Sequence, residues 1–169
     1  MSHKKSGIKK NKIEDKVALN VPTGLKFLCI MSFLGFVYYL VQDTSQYIAY
    51  ANFEELKESA NQEAFELMET KLLVLENNGV DVSADGLYAI SRMFIYLSVI
   101  SVFAMVGTAL MFFQIRKGYY IYIFFQLFYV LLPVIMFKGQ AFTIMEKSLL
   151  MIPLIYIGLF TTQIKHLSR

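Results

Sequence analysis

The chain has 169 residues, 56% of them hydrophobic, and a mean hydropathy of +0.50. Its apolar residues come in long blocks, which excludes an ordinary soluble domain of this size. A single cysteine, Cys29, excludes an intrachain disulfide and a cysteine-based metal cluster, and the small net charge of +3 hides an uneven distribution.

Residues 1–20 form a polar, lysine-rich arm without periodicity, which reads as disordered or loosely held. Clustered lysines attract anionic headgroups. Aromatics and arginines do not interleave with them, so nucleic acid is not an expected partner. Pro22-Thr23-Gly24 then punctuates the start of the first apolar stretch, 25–42, where Lys26 can snorkel back to the headgroups.

Three further apolar stretches lie at 93–113, 119–137 and 148–164. A helix rises about 1.5 Å per residue and the hydrocarbon core is about 30 Å thick, so about 20 residues span it. Three of the stretches are near that length and the first reaches it by extension. The predicted fold class is all-α: a polytopic membrane protein whose domain, 21–169, holds four transmembrane helices in an antiparallel bundle. The arm, the run 27–41 and Ala49-Tyr50-Ala51 also have the form of a secretory leader. The arm is long, however, and the run ends about ten residues before the candidate site at Ala51, so an uncleaved span is expected.

Between the first two spans lies an exposed segment, 43–87. Ala49, Tyr50, Phe53, Leu56, Ala60, Ala64, Leu67, Met68, Val74 and Leu75 share one helical face, with Lys71 as an exception among them. Glu55, Glu58, Glu66, Glu69 and Glu76 fall opposite. The stripe begins at Ala49, so the first span is expected to continue outward as one long helix. Asn77-Asn78-Gly79 is the expected stop, and Ser83 or Asp85 the expected cap of the next helix. Seven Glu against two Lys between Asn52 and Asn77 would be repelled by anionic lipid. The stripe, residues 49–75, is therefore expected to meet protein: the start of the second span (Leu87, Tyr88, Ile90), a second copy of the chain, or another membrane protein.

Lys and Arg in short flanks favour the cytoplasmic side. The arm with Lys26, the turn with Arg116 and Lys117, and the tail with Lys165 and Arg169 share one side when the number of spans is even. That side carries eleven basic and two acidic residues, the other five basic and eleven acidic, a difference of +9 against −6. Both termini are expected in the cytoplasm and the acidic helix on the extracytoplasmic face. The turn at 114–118 and the connection 138–147 are both too short for a domain.

Within the spans, Ser98, Ser101, Ala104, Gly107 and Thr108, and likewise Cys29, Ser32 and Gly35, form small faces suited to close helix packing. Gln126, mid-span, must find partners and is expected to point inward. Pro133 and Pro153 are candidate kinks. Arg92, with Glu146 and Lys147 nearby, reads as an interfacial anchor, as do Tyr38, Tyr39, Tyr88, Tyr119 and Tyr120. No ionisable residue stands at the centre of a span, which argues against proton relays and ion-coupled carriers. His3 and His166 are isolated, and no catalytic, phosphate-binding or metal-spaced motif occurs. Neither enzymatic activity nor a cofactor is expected.

The stretch from Pro22 through Leu25-Lys26-Phe27-Leu28-Cys29-Ile30 to Gly35, and Gly118-Tyr119-Tyr120-Ile121-Tyr122 with Gln126 and Pro133, resemble segments of a group of small four-span bacterial inner-membrane proteins. The resemblance implies a bacterial inner membrane and four helices. It implies no activity, since none is established for that group. The leading expectation is a non-enzymatic accessory or scaffold protein working through contacts. The alternative is a small oligomeric transporter or channel, for which Gln126, Ser98, Ser101, Thr108 and Arg92 are the candidate polar positions.

Overall fold

The computed structural model describes residues 21–53, 55, 62–145 and 147–167. The basic arm, the stripe positions Leu56 and Ala60, Glu58 of the acidic face, and Glu146 lie outside the described residues. Within those described the chain is helical, with no strand. The helices are α1 (Thr23–Ala51), α2 (Gln62–Asn77), α3 (Ala84–Phe112), α4 (Arg116–Phe137), the short α5 (Ala141–Ile144) and α6 (Lys147–Gln163). Four segments are long and apolar enough to cross a membrane: Thr23–Ala51, Ala84–Phe112, Arg116–Ile144 and Leu149–His166. Phe27, Leu34, Val41, Phe124, Ile135 and Ile155 stay exposed on their outer surfaces, as hydrocarbon surroundings require.

Helix α1 runs nine residues past the expected end of the first span. The polar run 42–46 does not stop it, because its packed stripe continues through Phe36, Tyr39, Asp43 and Tyr50, all buried. It does not, however, continue into the acidic segment as one helix. It ends at Ala51 with Asn52 as C-cap, and α2 lies back against it. Phe53 stacks on Phe65 with 5.8 Å between ring centres. The Lys71 ammonium donates to the Gln46 side chain and sits 5.2 Å from the centre of the Tyr50 ring. This reversal buries Met68, Leu72 and Leu75 in one cluster with Tyr50, Leu87 and Ile90, which a continuous helix would have left in water.

The buried stripe of α2 differs from the expected one. Leu67 and Val74 are exposed, while Leu72 is buried. Met68, Leu72 and Leu75, spaced four and three, set the inward face, and Lys71 takes a place on its edge by laying its stem along Tyr50. Of the expected contacts on α3, Leu87 and Ile90 join the cluster and Tyr88 stays exposed.

The expected stop is present. Gly79 adopts φ +78°, and the Gly79 and Val80 amides donate to the Glu76 and Leu75 carbonyls at 2.8 and 3.0 Å. Ser83, not Asp85, caps α3: its hydroxyl accepts from the Gly86 amide at 3.3 Å. Asp81 braces this cap by accepting the Ser83 amide at 2.9 Å. Hydrogen bonds from the Ser83 hydroxyl and then from its amide hold the Asp81 carboxyl below its usual value. A carboxyl depressed by folding adds stability that is complete above its unfolded value, near pH 4, and disappears as pH falls through the folded value. Protection of the Gly86 amide, taken relative to its intrinsic exchange rate at each pH, is therefore expected to fall on acidification through that lower range, and Asp81→Asn is expected to remove this loss of protection.

Helices α3 and α4 form a tight hairpin through Gln114, which adopts φ +60°. A side chain on Gly107 would meet the Tyr122 backbone at 2.8 Å, and one on Gly118 the Gly107 carbonyl at 2.6 Å. The close approach is thus between α3 and α4. Gly35, in the small face of α1, has open space beside it instead. Helices α1 and α3 also pack, in opposite directions. Tyr50 stacks on Phe94 at 5.7 Å, while Cys29 and Phe33 share a groove with Thr108 and Phe112. Helix α6 leans on α4 and α1, with the Phe160 ring 4.8 Å from that of Tyr122.

Candidate functional site

The end of the molecule where α1 starts is called proximal below, and the end where α1 stops, distal. A column of polar side chains runs between α1, α4 and α6. On α4, Tyr119, Tyr122, Gln126 and Tyr129 recur at spacings of three and four, and all are buried. On α1, Ser32, Tyr39 and Asp43 do the same at spacings of seven and four. Each set therefore occupies one helix face, and the two faces meet.

From the proximal end, the Tyr119 and Thr161 hydroxyls lie 2.8 Å apart. The Ser32 hydroxyl donates to the Tyr122 hydroxyl at 3.3 Å, and Gln126 lies against the same hydroxyl. The Tyr39 and Tyr129 rings are 5.5 Å apart. At the distal end of the column, Tyr129 donates to the Asp43 carboxylate at 3.2 and 3.4 Å. Tyr156 of α6 faces Tyr39 and Tyr122.

Asp43 is the buried carboxylate, and the candidate site residue, that hydropathy missed. It stands one position past the expected span, yet only 1% of its surface is exposed. At about 1.5 Å per residue it lies roughly 26 Å along α1 from Lys26, within the reach of a single span. An ionisable group therefore does stand inside the helix assembly, away from span centres and toward the distal end. The signal that locates it is the stripe Ser32, Phe36, Tyr39, Asp43, Tyr50, which passes unbroken through the end of the hydrophobic run.

The expected polar positions separate. Gln126, Ser98, Ser101 and Thr108 are buried. Thr108 bonds its own helix at the Ala104 carbonyl, 3.1 Å away, and so is occupied structurally. Ser98 and Ser101 have buried hydroxyls without a partner. Arg92 is turned outward: its guanidinium donates to the Tyr96 hydroxyl at 2.8 Å and covers the Tyr88 and Tyr96 rings. Among the tyrosines expected at the membrane surface, Tyr38, Tyr88 and Tyr120 are exposed, but Tyr39 and Tyr119 belong to the interior. A phenol suits both places, because each offers a polar partner beside apolar surface. Among the described residues, no group of three or more His, Cys, Asp or Glu is arranged for a metal ion.

A second feature lies at the distal end. Ser45, Ile48, Ala49 and Asn52 of α1 and Ala64, Leu67, Met68 and Lys71 of α2 line an open groove of about 690 Å³. Leu67 is 68% exposed at its rim, and Leu73 and Val74 are exposed further along α2. Glu63, Glu66, Glu69 and Glu76 surround them.

No protein-family model matches the chain, and neither a curated protein nor a solved structure is significantly similar to it. No activity or residue role comes to it from a relative.

Proposed function

We propose that this chain is a non-enzymatic, multi-pass membrane protein that acts through contacts, as an accessory or scaffold subunit. In this reading α1, α3, α4 and α6 form an antiparallel bundle in a bacterial inner membrane. Both termini face the cytoplasm, and α2 lies on the extracytoplasmic side. The charge asymmetry supports the orientation. The observation that carries the functional reading is the distal surface of α2. Its inward face packs within the chain, yet Leu67, Leu73 and Val74 stay exposed among glutamates that disfavour anionic lipid. An apolar patch with an acidic border fits a protein partner, either a second copy or a different membrane protein.

A photo-activated crosslinking residue at Leu67 or Val74 is expected to yield a discrete adduct in native membranes. The same residue at Tyr120, exposed near the opposite end, is expected to give none. Equal, diffuse labelling at all three positions would defeat the reading. The orientation has its own test, in a Cys29→Ala background. A membrane-impermeant maleimide added to intact cells is expected to label Glu69→Cys and to spare Ser2→Cys.

A second reading, a small oligomeric transporter or channel, is supported by one observation: the buried Asp43 carboxylate at the end of a column of hydroxyls. Solute or ion flux into liposomes, abolished by Asp43→Asn and unaffected by Leu67→Gln, would favour it over the contact reading.

A further inference from the structure

A cleft of about 380 Å³ lies at the distal end, where α1 stops and α3 begins. Tyr47 and Tyr50 of α1 line one side, and Leu87, Tyr88, Ser91 and Arg92 of α3 the other. Its size falls in the range of small-ligand sites, about 300–1,000 Å³. Among the described lining residues Arg92 carries the only charge. The Ser91 hydroxyl donates to the Tyr88 carbonyl of its own helix at 2.9 Å and so is engaged.

Arg92 is held in place but not neutralised. Its guanidinium donates to the Tyr96 hydroxyl at 2.8 Å and lies 5.5 and 5.8 Å from the centres of the Tyr88 and Tyr96 rings. Those rings stand one turn before and one turn after it, so they steady the side chain along α3. A guanidinium presents five N–H donors in a planar fork, and one hydroxyl leaves most of that fork unused. Among the described residues no carboxylate pairs with it.

Two observations identify the anion that fits. The first is depth. Arg92 stands roughly 30 Å along α3 from Phe112, about the thickness of the hydrocarbon core. With Phe112 at one boundary, Arg92 is at the other, at the level of the lipid phosphates. The second is the surface that leads away from it. Ile95 also lines the cleft, and Val99, Val102 and Val106 follow on the same face at spacings of four, three and four. Each of the three valines is 48% exposed. They make an apolar track from the cleft toward the middle of the membrane. A cationic fork at the head of such a track matches a phosphate followed by a hydrocarbon chain, whereas a free anion would use the fork alone.

We propose that this cleft binds one glycerophospholipid of the distal leaflet, with its phosphodiester on the Arg92 guanidinium and an acyl chain along Ile95, Val99, Val102 and Val106. Parallel N–H donors of the fork meet the non-bridging phosphate oxygens, a geometry that an ammonium cannot supply. The phosphodiester is common to glycerophospholipids, so recognition does not depend on the alcohol beyond it. No described glutamate of α2 lines the cleft. The inference is independent of both functional readings above, since a bound lipid can brace a scaffold or a transporter.

The test is native mass spectrometry of the full-length protein in detergent micelles, with dioleoyl phosphatidylethanolamine, dioleoylglycerol or inorganic phosphate as the probe. The phospholipid is expected to give a saturable adduct. Dioleoylglycerol has the same chains without the phosphate and is expected to bind about tenfold more weakly, the order for one charge-assisted contact. Inorganic phosphate is expected not to displace the phospholipid. Arg92→Gln is expected to weaken phospholipid binding by the same factor of about ten. Lys138→Gln removes an exposed charge at the same end and is expected to change nothing. Equal binding of phospholipid and dioleoylglycerol to the unsubstituted protein would overturn the proposal, and this comparison needs no variant. Displacement by inorganic phosphate, or full retention of the lipid by Arg92→Gln, would overturn it as well. Loss of self-association in Arg92→Gln with the lipid retained would assign the cleft to a second copy instead.

Discussion

Gly118→Val is expected to produce the largest loss of stability of any single substitution in the α3–α4 hairpin. A Cβ at Gly118 would lie 2.6 Å from the Gly107 carbonyl oxygen, 2.6 Å from the Leu110 Cβ and 2.8 Å from the Met111 amide nitrogen. Two of those atoms are backbone and the third is the stiff root of a side chain, so none can swing away. The helices must separate. Separation would break the contacts that follow along the interface, including the Phe103–Phe125 stack at 4.9 Å. Overpacking of this kind costs about 3 kcal/mol or more, because a packed interior does not deform smoothly. Gly35→Ala is the control, since nothing lies within 4 Å of a Cβ there. Its effect is expected within about 0.5 kcal/mol of zero. Thermal unfolding in detergent micelles, followed by circular dichroism, compares the two directly. A Gly118 variant as stable as the Gly35 variant would mean that α3 and α4 do not approach as described.

Tyr129→Phe is expected to have the next largest effect. It removes one hydroxyl, keeps the ring that packs against Tyr39, and takes from Asp43 its hydrogen-bond donor. A buried carboxylate left unmatched loses about 1–3 kcal/mol, at the upper end when it is charged. Interhelical hydrogen bonds in membranes average less, because the separated helices find other partners. A loss of about 2 kcal/mol follows for a group as fully buried as this one. Tyr120→Phe, on an exposed ring of the same helix, is expected to be silent. A double-mutant cycle with Asp43→Asn isolates the pair. Coupling below about 0.3 kcal/mol would show that the Tyr129 hydroxyl and Asp43 do not act on one another.

Both predictions depend on features that differ in how far they can be read from the chain. The four spans, the stop at Gly79, the serine cap of α3 and the inward placement of Gln126 are legible because each has a local cause. Long apolar runs, a residue tolerant of positive φ, and a hydroxyl before a helix act over a few residues. The reversal of direction between α1 and α2 is not legible in this way. One stripe continues across it, and periodicity does not distinguish a helix that goes on from a second helix folded back on the first. The interior positions of Tyr39 and Tyr119 are hidden for a related reason, since tyrosine suits interface and interior equally.

Asp43 shows the boundary most clearly. A hydropathy window ends the first span at residue 42 because polar side chains follow. Helix α1 nevertheless continues through that polar run and turns Asp43 inward, because its packing stripe does not change phase there. Composition and local chemistry were enough to establish that four helices are long and apolar enough to cross a membrane and where the second helix stops, at Gly79, for these follow from solvent preference and short-range hydrogen bonding. Which polar groups meet depended on register between distant helices. The contacts of Tyr50 with Phe94, of Gly107 with Gly118 and of Ser32 with Tyr122 set that register. Such contacts join residues many positions apart, and their effect on a buried carboxylate exists only once the helices have packed.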